Sequence, residues 1–496
     1  MAKPLTYLQK RLGDDWLIGY DCHQLLNLAE EFFTELTQLS QRGTLPKILL
    51  AEKDPIKFIA GFIAATTANC PVFLCNPNWV QAEWQQVFNL VQPDIIWGEL
   101  NFTPPHLHTP APVLNTSHSG LIMIPTGGSS GEIKFAIHTW QTLMASVQGF
   151  TKYFAIEKVN SFCVLPLYHV SGLMQFMRSL TTNGQLVILP FKTLETNLKL
   201  SPSMTPLPVS ASRTLREYGE GFSFYSQSHK LDIINNINPA EFFLSLVPTQ
   251  LQRLLNYSPT WLSNFHTVLL GGAPAWLELL EAARSHNIRL APTYGMTETA
   301  SQIATLKPEA FLNGINNCGH ILPHTQIQIY NDQGEILSNN QTGIITIQSD
   351  SLALGYYPGL FTNKHSFSVD DLGFIDNNGY LNLVGRNSNK IITGGENVFP
   401  TEVEAAILAT QLVTDVGVLG LPDQNWGQVV TAVYVPINIE VSNDILRNVI
   451  TNKISKFKQP KYWIAVAQLP RNQQGKINRE QLEKIAKAWQ LHHSTD

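Results

Sequence analysis

Short apolar runs alternate with stretches of helical periodicity along the first two thirds of the chain. Residues 47–52 and 72–75 have the length and composition of buried strands, and residues 55–65 between them repeat apolar side chains at helical spacing. Further apolar runs end in proline, glycine or polar residues at 94–98, 121–126, 162–167 and 185–190. Strands that alternate with helices predict βαβ units and a mostly parallel sheet, whose ligands bind beyond the carboxyl ends of the strands.

The pattern becomes antiparallel from about residue 320. Asp332-Gln333-Gly334 and Asn378-Gly379 are predicted hairpin turns, because each places a glycine between alternating strands. Residues 200–230 are rich in serine, proline and glycine and interrupt the earlier rhythm. We expect them to form an exposed connection or lid.

A second domain is predicted after Gly385, where the composition changes again. Thr401 and Glu404 have the spacing of a capping box that opens a helix. We therefore expect a first domain of residues 1–386 and a smaller one of residues 387–496.

Composition narrows the classes of function. The 496 residues suffice for two to four domains of about 150 residues each. The 33 basic and 38 acidic residues give a net charge of −5, which argues against a basic nucleic-acid binder or a polybasic membrane-surface protein. A hydrophobic content of 44% excludes a disordered chain.

Membrane and redox signals are absent from the sequence. No apolar run reaches the ~18 residues of a membrane span, and the N-terminus lacks the apolar core of a signal peptide. The five cysteines show no C-x-x-C spacing. We expect a cytoplasmic protein with no membrane span and no nucleic-acid partner.

Residues 121–134 form the first candidate ligand site. A predicted strand runs into a loop whose backbone N–H groups can converge on phosphate oxygens. The candidate contacts are Thr126, Gly128, Ser129, Ser130, Gly131 and Lys134. The loop is not a Walker A motif, because the lysine does not directly follow the last glycine. A flexible glycine–serine turn is the competing interpretation.

Two later segments supply an aromatic ring, carboxylates and an arginine. Tyr294 offers a ring on which a base can stack, and Glu298 offers a carboxylate to a Mg²⁺ that also carries phosphates. A capped helix start is the competing interpretation of this segment, and it is the better one when the segment is taken alone. Asp371 suits the two hydroxyls of a ribose, and Arg386 can reach phosphate or ribose. An ordinary hairpin with surface charge is the alternative there.

Three further signals are weak individually. Lys476 follows a glycine in a polar loop, where most lysines are simply solvated. His169 follows an apolar run, and a fully hydrogen-bonded core histidine is the alternative to a role in substrate binding. Gly394 and Gly395 permit close approach of the backbone to a ligand. The joint occurrence of all these segments in this order is the informative observation.

Together the segments resemble the adenylate-forming superfamily, which includes acyl-CoA synthetases, peptide-synthetase adenylation domains and luciferase-like enzymes. The resemblance covers about residues 120–480. It implies an α/β fold class with a large N-terminal domain of mixed sheets flanked by helices, and a small mobile α+β C-terminal domain. It also implies that a carboxylate attacks ATP to give an acyl-adenylate and pyrophosphate, after which the thiol of CoA displaces AMP.

The resemblance also implies roles for residues in the first half-reaction. Lys476 would stabilise the charge that grows on the α-phosphoryl group, Thr297 would touch that group, and Glu298 would bind Mg²⁺. Asp371 and Arg386 would hold the ribose. The other nucleotide contacts would be the loop residues given above together with Gly272, Ala273, Pro274, Tyr294, Gly295 and Met296.

Other roles concern the acid, the thiol and the domain connection. His169, Gly271 and Gly272 would line the acid site, and Arg178 is a further candidate, with an ordinary helix-surface position as its alternative. Gly394 and Gly395 would line the path of CoA. Ser388 would occupy the hinge in place of the family's usual aspartate.

The chain also departs from the family pattern. Gly127 and Ile133 stand where the family usually has a hydroxyl residue and a proline. Val369-Asp370 replaces the usual Thr-Gly before the ribose aspartate, and Ser388-Asn389 replaces the usual acidic pair. These differences concern the loop and the hinge rather than the reaction.

Within the superfamily, residues 166–180, 294–306 and 385–404 are most similar to the o-succinylbenzoate–CoA ligases of menaquinone and phylloquinone synthesis. Their substrate is an aromatic keto-dicarboxylate, and ATP, Mg²⁺ and CoA complete the implied set. A ligase for another aromatic or fatty acid is the runner-up, and a nucleotide-binding protein without catalysis is a third hypothesis. A peptide-synthetase module is disfavoured, whereas a homo-oligomer is compatible with the sequence.

Overall fold

The computed structural model describes residues 3–41, 45–100, 120–127, 133–200, 237–363, 366–393, 396–423, 426–451, 453–471 and 476–493. The predicted connection or lid at 200–230 lies outside these residues, apart from Leu200.

The first sheet contains five strands. They are β1 Ile48–Leu50, β2 Val72–Leu74, β3 Ile95–Trp97, β4 Ile122–Gly127 and β5 Ile133–His138. Their spatial order is β3-β1-β2-β4-β5, with β5 antiparallel and the others parallel. β4 and β5 stay paired as far as Gly127 and Ile133, so they bracket the predicted phosphate loop.

Four helices accompany this sheet. They are α1 Pro4–Lys10, α2 Cys22–Ser40, α3 Pro55–Thr67 and α4 Gln81–Val91. α3 begins where Asp54 accepts hydrogen bonds from the backbone N–H groups of Ile56 and Lys57, at 2.8 and 3.0 Å. It is buried around most of its circumference, so it forms the core layer against the sheet.

The second sheet contains seven strands. They are β6 Asn160–Cys163, β7 Leu186–Ile188, β8 Phe242–Leu246, β9 Thr267–Leu270, β10 Leu290–Met296, β11 Ser301–Thr305 and β12 His320–Ile321. Their order is β12-β11-β10-β9-β8-β6-β7. β6 to β10 run parallel, β11 pairs antiparallel with β10, and β12 pairs antiparallel with β11. Within this sheet, antiparallel pairing starts at Ser301, earlier than the predicted residue 320, because a 3₁₀ turn at Thr297–Thr299 reverses the chain. In the first sheet, β5 already pairs antiparallel with β4.

Among its described residues, this part of the chain has seven helices. They are α5 Trp140–Phe154, α6 Val170–Thr181, α7 Phe191–Leu200, α8 Pro248–Tyr257, α9 Pro259–Ser263, α10 Leu277–Ser285 and α11 Pro308–Leu312. A 3₁₀ turn at Pro239–Glu241 precedes β8. α6 is buried along nearly its whole length, which places its polar residues inside the protein.

The N-terminal segment is attached to the second sheet and to α6. Leu17 forms an isolated parallel bridge with Leu186 of β7. The guanidinium of Arg11, only 4% exposed, donates to the carbonyl oxygens of Ser179 and Gly184 at 3.1 and 2.9 Å. Arg11 therefore satisfies carbonyl groups at and just beyond the carboxyl end of α6.

The third sheet is antiparallel throughout. Its strands are β13 Thr325–Tyr330, β14 Gly343–Ser349, β15 Phe367–Ile375 and β16 Leu381–Arg386, in that spatial order. The two predicted hairpin turns are confirmed: Gly334 and Gly379 have φ angles of +82° and +79°, which glycine adopts without strain.

The fourth sheet follows residue 386. Its strands are β17 Ile391–Thr393, β18 Glu396–Val398, β19 Val413–Asp423, β20 Gly427–Pro436 and β21 Tyr462–Ala465. The order is β18-β17-β20-β19, with β21 parallel to β20. Three helices, α12 Pro400–Leu408, α13 Asn443–Ile450 and α14 Arg479–His493, and a 3₁₀ turn at Lys456–Lys458 complete this part.

The predicted α/β class, with a large first part and a smaller second part, is confirmed. The domain boundary at residue 387 stays a prediction, and it falls between the end of β16 and the start of β17. No helix among the described residues has the length and apolar content needed to cross a bilayer.

The capping box at Thr401 is wrong. α12 begins at Pro400, and the residue before it, Phe399, makes no side-chain cap. Proline is favoured at the first helical position, so the helix starts two residues earlier than a Thr401 cap would place it, and Thr401 lies inside it. Glu404 instead accepts a hydrogen bond from the backbone N–H of Val418 at 2.8 Å.

Candidate active site

Tyr294, Asp371 and Arg386 meet where the second and third sheets adjoin. The hydroxyl of Tyr294 donates to Oδ2 of Asp371 at 2.7 Å. Arg386 lies directly across from Asp371 in the β15–β16 register and donates its Nε–H to Oδ1 at 3.2 Å. Burial, and then the charge of Asp371, raise the pKa of Tyr294, so the phenol remains a donor. An aromatic ring, a carboxylate and a guanidinium are thus fixed side by side, as a nucleoside site requires.

The turn after Tyr294 carries Thr297 and Glu298. It fits between β10 and β11 because Gly295 has no side chain: a Cβ there would lie 2.1 Å from the carbonyl oxygen of Ser301. The carbonyl oxygen of Thr297 accepts a hydrogen bond from Nε2 of His138 at 2.8 Å. His138 is completely buried, and this burial lowers its pKa to about 4. A neutral histidine on β5 therefore ties the first sheet to this turn.

The carboxylate of Glu298 has chemistry suited to Mg²⁺. The residue is 8% exposed, and its Oε1 accepts a hydrogen bond from the hydroxyl of Tyr356 at 2.6 Å. Among the described residues, no three His, Cys, Asp or Glu side chains are grouped to form a metal site of their own. Mg²⁺ commonly binds through one or two carboxylates plus substrate phosphates. Glu298 therefore fits a Mg²⁺ that arrives with a nucleotide.

The described flanks of the predicted phosphate loop lie beside this carboxylate. Thr126 and Lys134 are register partners on β4 and β5. Nζ of Lys134 is 6.0 Å from the ring centroid of Tyr356, the residue that bonds to Glu298. The loop residues Gly128, Ser129, Ser130 and Gly131 lie outside the described part of the chain, so their contacts stay predictions.

The ammonium of Lys476 lies among the charged groups of the site. Burial and then Arg386 lower its pKa, whereas Glu298 and Asp371 raise it. The residue as a whole is nevertheless exposed. The predicted adenylation lysine and the nucleotide candidates are thus brought together, although they are far apart in the sequence.

Two predicted acid-site residues belong to the buried helix α6 or to the position just before it. His169 immediately precedes the helix, and its Nε2 is buried without a hydrogen-bond partner in the described structure. It is therefore not the fully hydrogen-bonded core histidine of the alternative. Burial, and then the charge of Lys476, lower the pKa of His169 to about 4. Arg178 is 2% exposed, so its helix-surface alternative is wrong.

The segment from Gly271 to Pro274 follows β9, next to the strand that carries Tyr294. A Cβ at Gly271 would lie 2.5 Å from Oγ1 of Thr293, so the segment approaches β10 closely. Gly272 has a φ of +82°, and Gly272, Ala273 and Pro274 are exposed. Their assignment to the nucleotide and acid sites remains a prediction, as does that of Gly295 and Met296 within β10.

The connection between the third and fourth sheets is held by Asp370. The backbone N–H of Ser388 donates to Oδ1 of Asp370 at 3.1 Å, and the Ser388 hydroxyl donates to Oδ2. Asn387 N–H donates to the carbonyl oxygen of Asp370 at 2.8 Å. Two departures from the family pattern are therefore bonded to each other. The predicted CoA residues Gly394 and Gly395 lie outside the described residues.

Sequence reasoning missed His138 and Tyr356, and it missed that Asp370 accepts hydrogen bonds from Ser388. Each acts through a partner far along the chain. Tyr356 is 58 residues from Glu298 and His138 is 159 residues from Thr297. The one local signal was Asp370 itself, which stands where the resemblance leads us to expect glycine.

Comparison with known proteins covers both parts of the chain. The family described as AMP-binding enzyme matches residues 90–357, and the AMP-binding enzyme C-terminal domain matches residues 402–476. A 2-succinylbenzoate–CoA ligase of Listeria monocytogenes is 32% identical over 371 residues, covering 72% of this chain and 68% of the relative. The enzyme of that name from Bacillus subtilis is 29% identical over 369 residues, covering 73% and 68%.

Solved structures share the fold. One is o-succinylbenzoate CoA synthetase (MenE) from Bacillus subtilis in complex with the acyl-adenylate intermediate OSB-AMP. It has a TM-score of 0.77 and 22% identity, covering 97% of this chain and 98% of that chain. ATP-bound MatB from Rhodopseudomonas palustris has a TM-score of 0.75 and 20% identity, covering 98% and 99%.

The first matched region contains Tyr294 and Glu298, and the second ends at Lys476, whose ammonium is close enough to Glu298 to interact with it electrostatically. This chain therefore belongs to the AMP-binding enzyme family.

Proposed function

We propose that this chain is a 2-succinylbenzoate–CoA ligase, which converts the acid, ATP and CoA into 2-succinylbenzoyl-CoA, AMP and pyrophosphate. The relatives from Listeria monocytogenes and Bacillus subtilis carry this name. The product would serve menaquinone or phylloquinone synthesis, as the resemblance implies.

The choice of acid rests on the environment of Arg178, a buried arginine without a carboxylate partner among the described residues. Its Nη2 donates to Oγ of Ser301 and Oε1 of Gln302, both at 3.1 Å, and its Cζ lies 4.2 Å from the ring centroid of Phe150. Among the described residues, its Nε has no hydrogen-bond partner and no carboxylate pairs with the guanidinium. Burial lowers its pKa to about 9, which leaves it charged near neutral pH.

A buried cation without a counter-ion is costly to the folded protein. A substrate that keeps a second carboxylate after reaction would supply the missing charge. 2-Succinylbenzoate has such a carboxylate on its ring. A cinnamate-type or fatty acid has a single carboxylate, which is consumed in the reaction, so Arg178 favours the dicarboxylate over the runner-up.

In the first half-reaction, a carboxylate oxygen of the acid attacks the α-phosphorus of ATP, and the bond from that phosphorus to the bridging oxygen of pyrophosphate breaks. Asp371 and Arg386 would hold the ribose, with the base against Tyr294. The ammonium of Lys476 stabilises the charge on the α-phosphoryl oxygens. Mg²⁺ bound at Glu298 would supply neutralisation of phosphate charge.

In the second half-reaction, the sulfur of CoA attacks the acyl carbonyl carbon. The bond from that carbon to the phosphate oxygen of AMP breaks, and the thiol proton leaves to solvent. The neutral His169 beside Lys476 lies next to α6 and would border the acid during both steps. Gly394 and Gly395 are the proposed contacts for CoA.

The test is an acid panel assayed for CoA-thioester formation with ATP and Mg²⁺. We expect 2-succinylbenzoate to give the highest kcat/KM. Arg178→Met should raise the KM for 2-succinylbenzoate about tenfold to a hundredfold, because it removes a buried charge partner. It should barely change the KM for the analogue that lacks the ring carboxylate.

The matched control is Arg253→Met, since Arg253 on α8 is 61% exposed in its side chain. This control should leave both KM values unchanged. A preference for a long-chain fatty acid would contradict the proposed substrate. So would an Arg178→Met variant whose KM rises equally for 2-succinylbenzoate and for the analogue without the ring carboxylate.

A further inference from the structure

Tyr356 is held rigidly against the strand that follows the phosphate loop. Residues 354–357 run along β5, where the backbone N–H of Tyr357 donates to Phe135 at 2.9 Å and that of Ile137 donates to Gly355 at 2.9 Å. Tyr356 itself forms a β-bridge with Ala136. These backbone hydrogen bonds fix the Cα position of Tyr356 relative to the first sheet.

The ring of Tyr356 is fixed as well. It packs edge-to-face on Phe361, with 5.4 Å between centroids and an interplanar angle of 88°. Its hydroxyl donates to Oε1 of Glu298 at 2.6 Å. Glu298 is anchored at its backbone too, since its carbonyl oxygen accepts a hydrogen bond from Ala353 at 2.7 Å. The same short segment thus holds both ends of Glu298.

We propose that Tyr356 is a positioning residue that orients the Glu298 carboxylate for the metal ion of the nucleotide complex. The proposal rests on the proposed function only in that Glu298 binds the metal that accompanies ATP. A neutral phenol on Oε1 leaves the carboxylate its negative charge and leaves Oε2 as the oxygen for the cation. The carboxylate is then already oriented, so less conformational entropy is lost when the metal binds.

Partners that orient metal ligands typically change metal affinity by 10–100-fold when they are removed. Tyr356→Phe deletes only the hydroxyl and keeps the ring beneath Lys134 and against Phe361. The variant therefore separates orientation of Glu298 from the packing and cation–π contacts of the ring.

The experiment measures Mn²⁺ binding to the full-length protein in the presence of α,β-methylene-ATP, using the electron paramagnetic resonance signal of free Mn²⁺. For Tyr356→Phe we expect the dissociation constant of Mn²⁺ to rise about tenfold. The affinity for α,β-methylene-ATP without metal should stay unchanged.

Tyr330→Phe is the matched control, because its hydroxyl donates to Gln328 at 2.9 Å on β13 and makes no contact with Glu298. It should bind Mn²⁺ as the unmodified protein does. No carboxylic acid is present in this assay, so an error in the proposed acid leaves the result unaffected.

A Mn²⁺ dissociation constant within twofold of the unmodified protein would overturn the proposal. So would a variant that loses metal-free nucleotide affinity to the same extent or melts at a clearly lower temperature, since Tyr356 would then be structural. If the unmodified protein binds no Mn²⁺ with the nucleotide, both this proposal and the adenylating function fail together.

Discussion

Lys476 illustrates how one residue responds to a site built from distant parts of the chain. Burial and Arg386 disfavour its charged form, whereas Glu298 and Asp371 favour it. The net effect is a lowered pKa, so the ammonium loses its proton at a lower pH than an ordinary lysine, whose pKa is about 10.4. Bound ATP adds negative charge beside the ammonium and pushes the pKa upward again.

These directions predict a difference between two pH profiles of adenylation. The fall of kcat/KM for ATP at alkaline pH reports a pKa of the free enzyme, which should be lower than the pKa of an ordinary lysine. The corresponding fall of kcat reports the enzyme–ATP complex and should occur at higher pH. Pyrophosphate release between pH about 6 and about 10 measures both. Arginine stays charged over this whole range, so Lys476→Arg should no longer show the alkaline fall in kcat/KM. Lys57→Arg, at an exposed position, is the control and should still show it. Falls of kcat/KM and kcat at the same pH would contradict the ammonium's role.

At the scale of elements, the start of α6 packs closely against the loop that precedes it. A Cβ on Gly172, in its first turn, would lie 2.1 Å from the carbonyl oxygen of Pro166. Alanine is the better helix former by ~1 kcal/mol, but here the backbone of the preceding loop occupies its space. That loop leads into His169, and the helix continues to Arg178.

Gly172→Ala should therefore lower the free energy of unfolding by about 1–3 kcal/mol despite its favourable helix propensity. It should also raise the KM for the acid, because the helix start must shift. Urea unfolding and steady-state kinetics measure the two effects. At Gly13 a Cβ meets no heavy atom within 4 Å, so Gly13→Ala serves as the control. A higher free energy of unfolding for Gly172→Ala would contradict this expectation, because the loop would then have moved to accommodate the Cβ at little cost.

Local chemistry decided which elements could be predicted from sequence. The hairpin turns at Gly334 and Gly379 were correct because glycine with positive φ is a local requirement. The resemblance to adenylate-forming enzymes, confirmed by the matched families, rests on short segments of this kind. The capping box at Thr401 failed because Pro400 competes locally for the same helix start.

Contacts set by the packing of separate sheets could not be predicted. The Tyr294–Asp371 hydrogen bond joins residues 77 apart, and the Tyr356–Glu298 bond joins residues 58 apart. Each depends on the register between elements rather than on any spacing within one. Likewise, nothing in the local sequence distinguished Arg178 inside the fold from an arginine on a helix surface.

At the scale of the whole molecule, Asp370 connects the two parts of the chain. Its carboxylate receives both hydrogen bonds from Ser388, so it stabilises the arrangement in which Lys476 meets the nucleotide residues. The resemblance implies that the second half-reaction uses a rotated C-terminal domain. We therefore expect Asp370 to favour the proposed first half-reaction over the second.

Asp370→Ala should slow adenylation about threefold to tenfold, the effect of losing about 1 kcal/mol of hydrogen bonding. Transfer from a preformed acyl-adenylate to CoA should be unchanged or faster. Stopped assays of each half-reaction measure the two rates separately. Asp332→Ala, in an exposed hairpin turn, is the control and should alter neither rate. Equal slowing of both steps would contradict the role of Asp370.

The attachment of the N-terminal segment has a practical consequence for work with this protein. Arg11 holds carbonyl groups at the far end of the helix that bears Arg178, and one of its acceptors, Ser179, lies 168 residues away in the sequence. Deleting the N-terminal segment that contains Arg11, or displacing it with a bulky fused tag, would remove these hydrogen bonds and destabilise the carboxyl end of α6. Selectivity among acids should therefore be compared between proteins with the same N-terminal residues. A difference in those residues could shift Arg178 and be misread as a difference in the acid site.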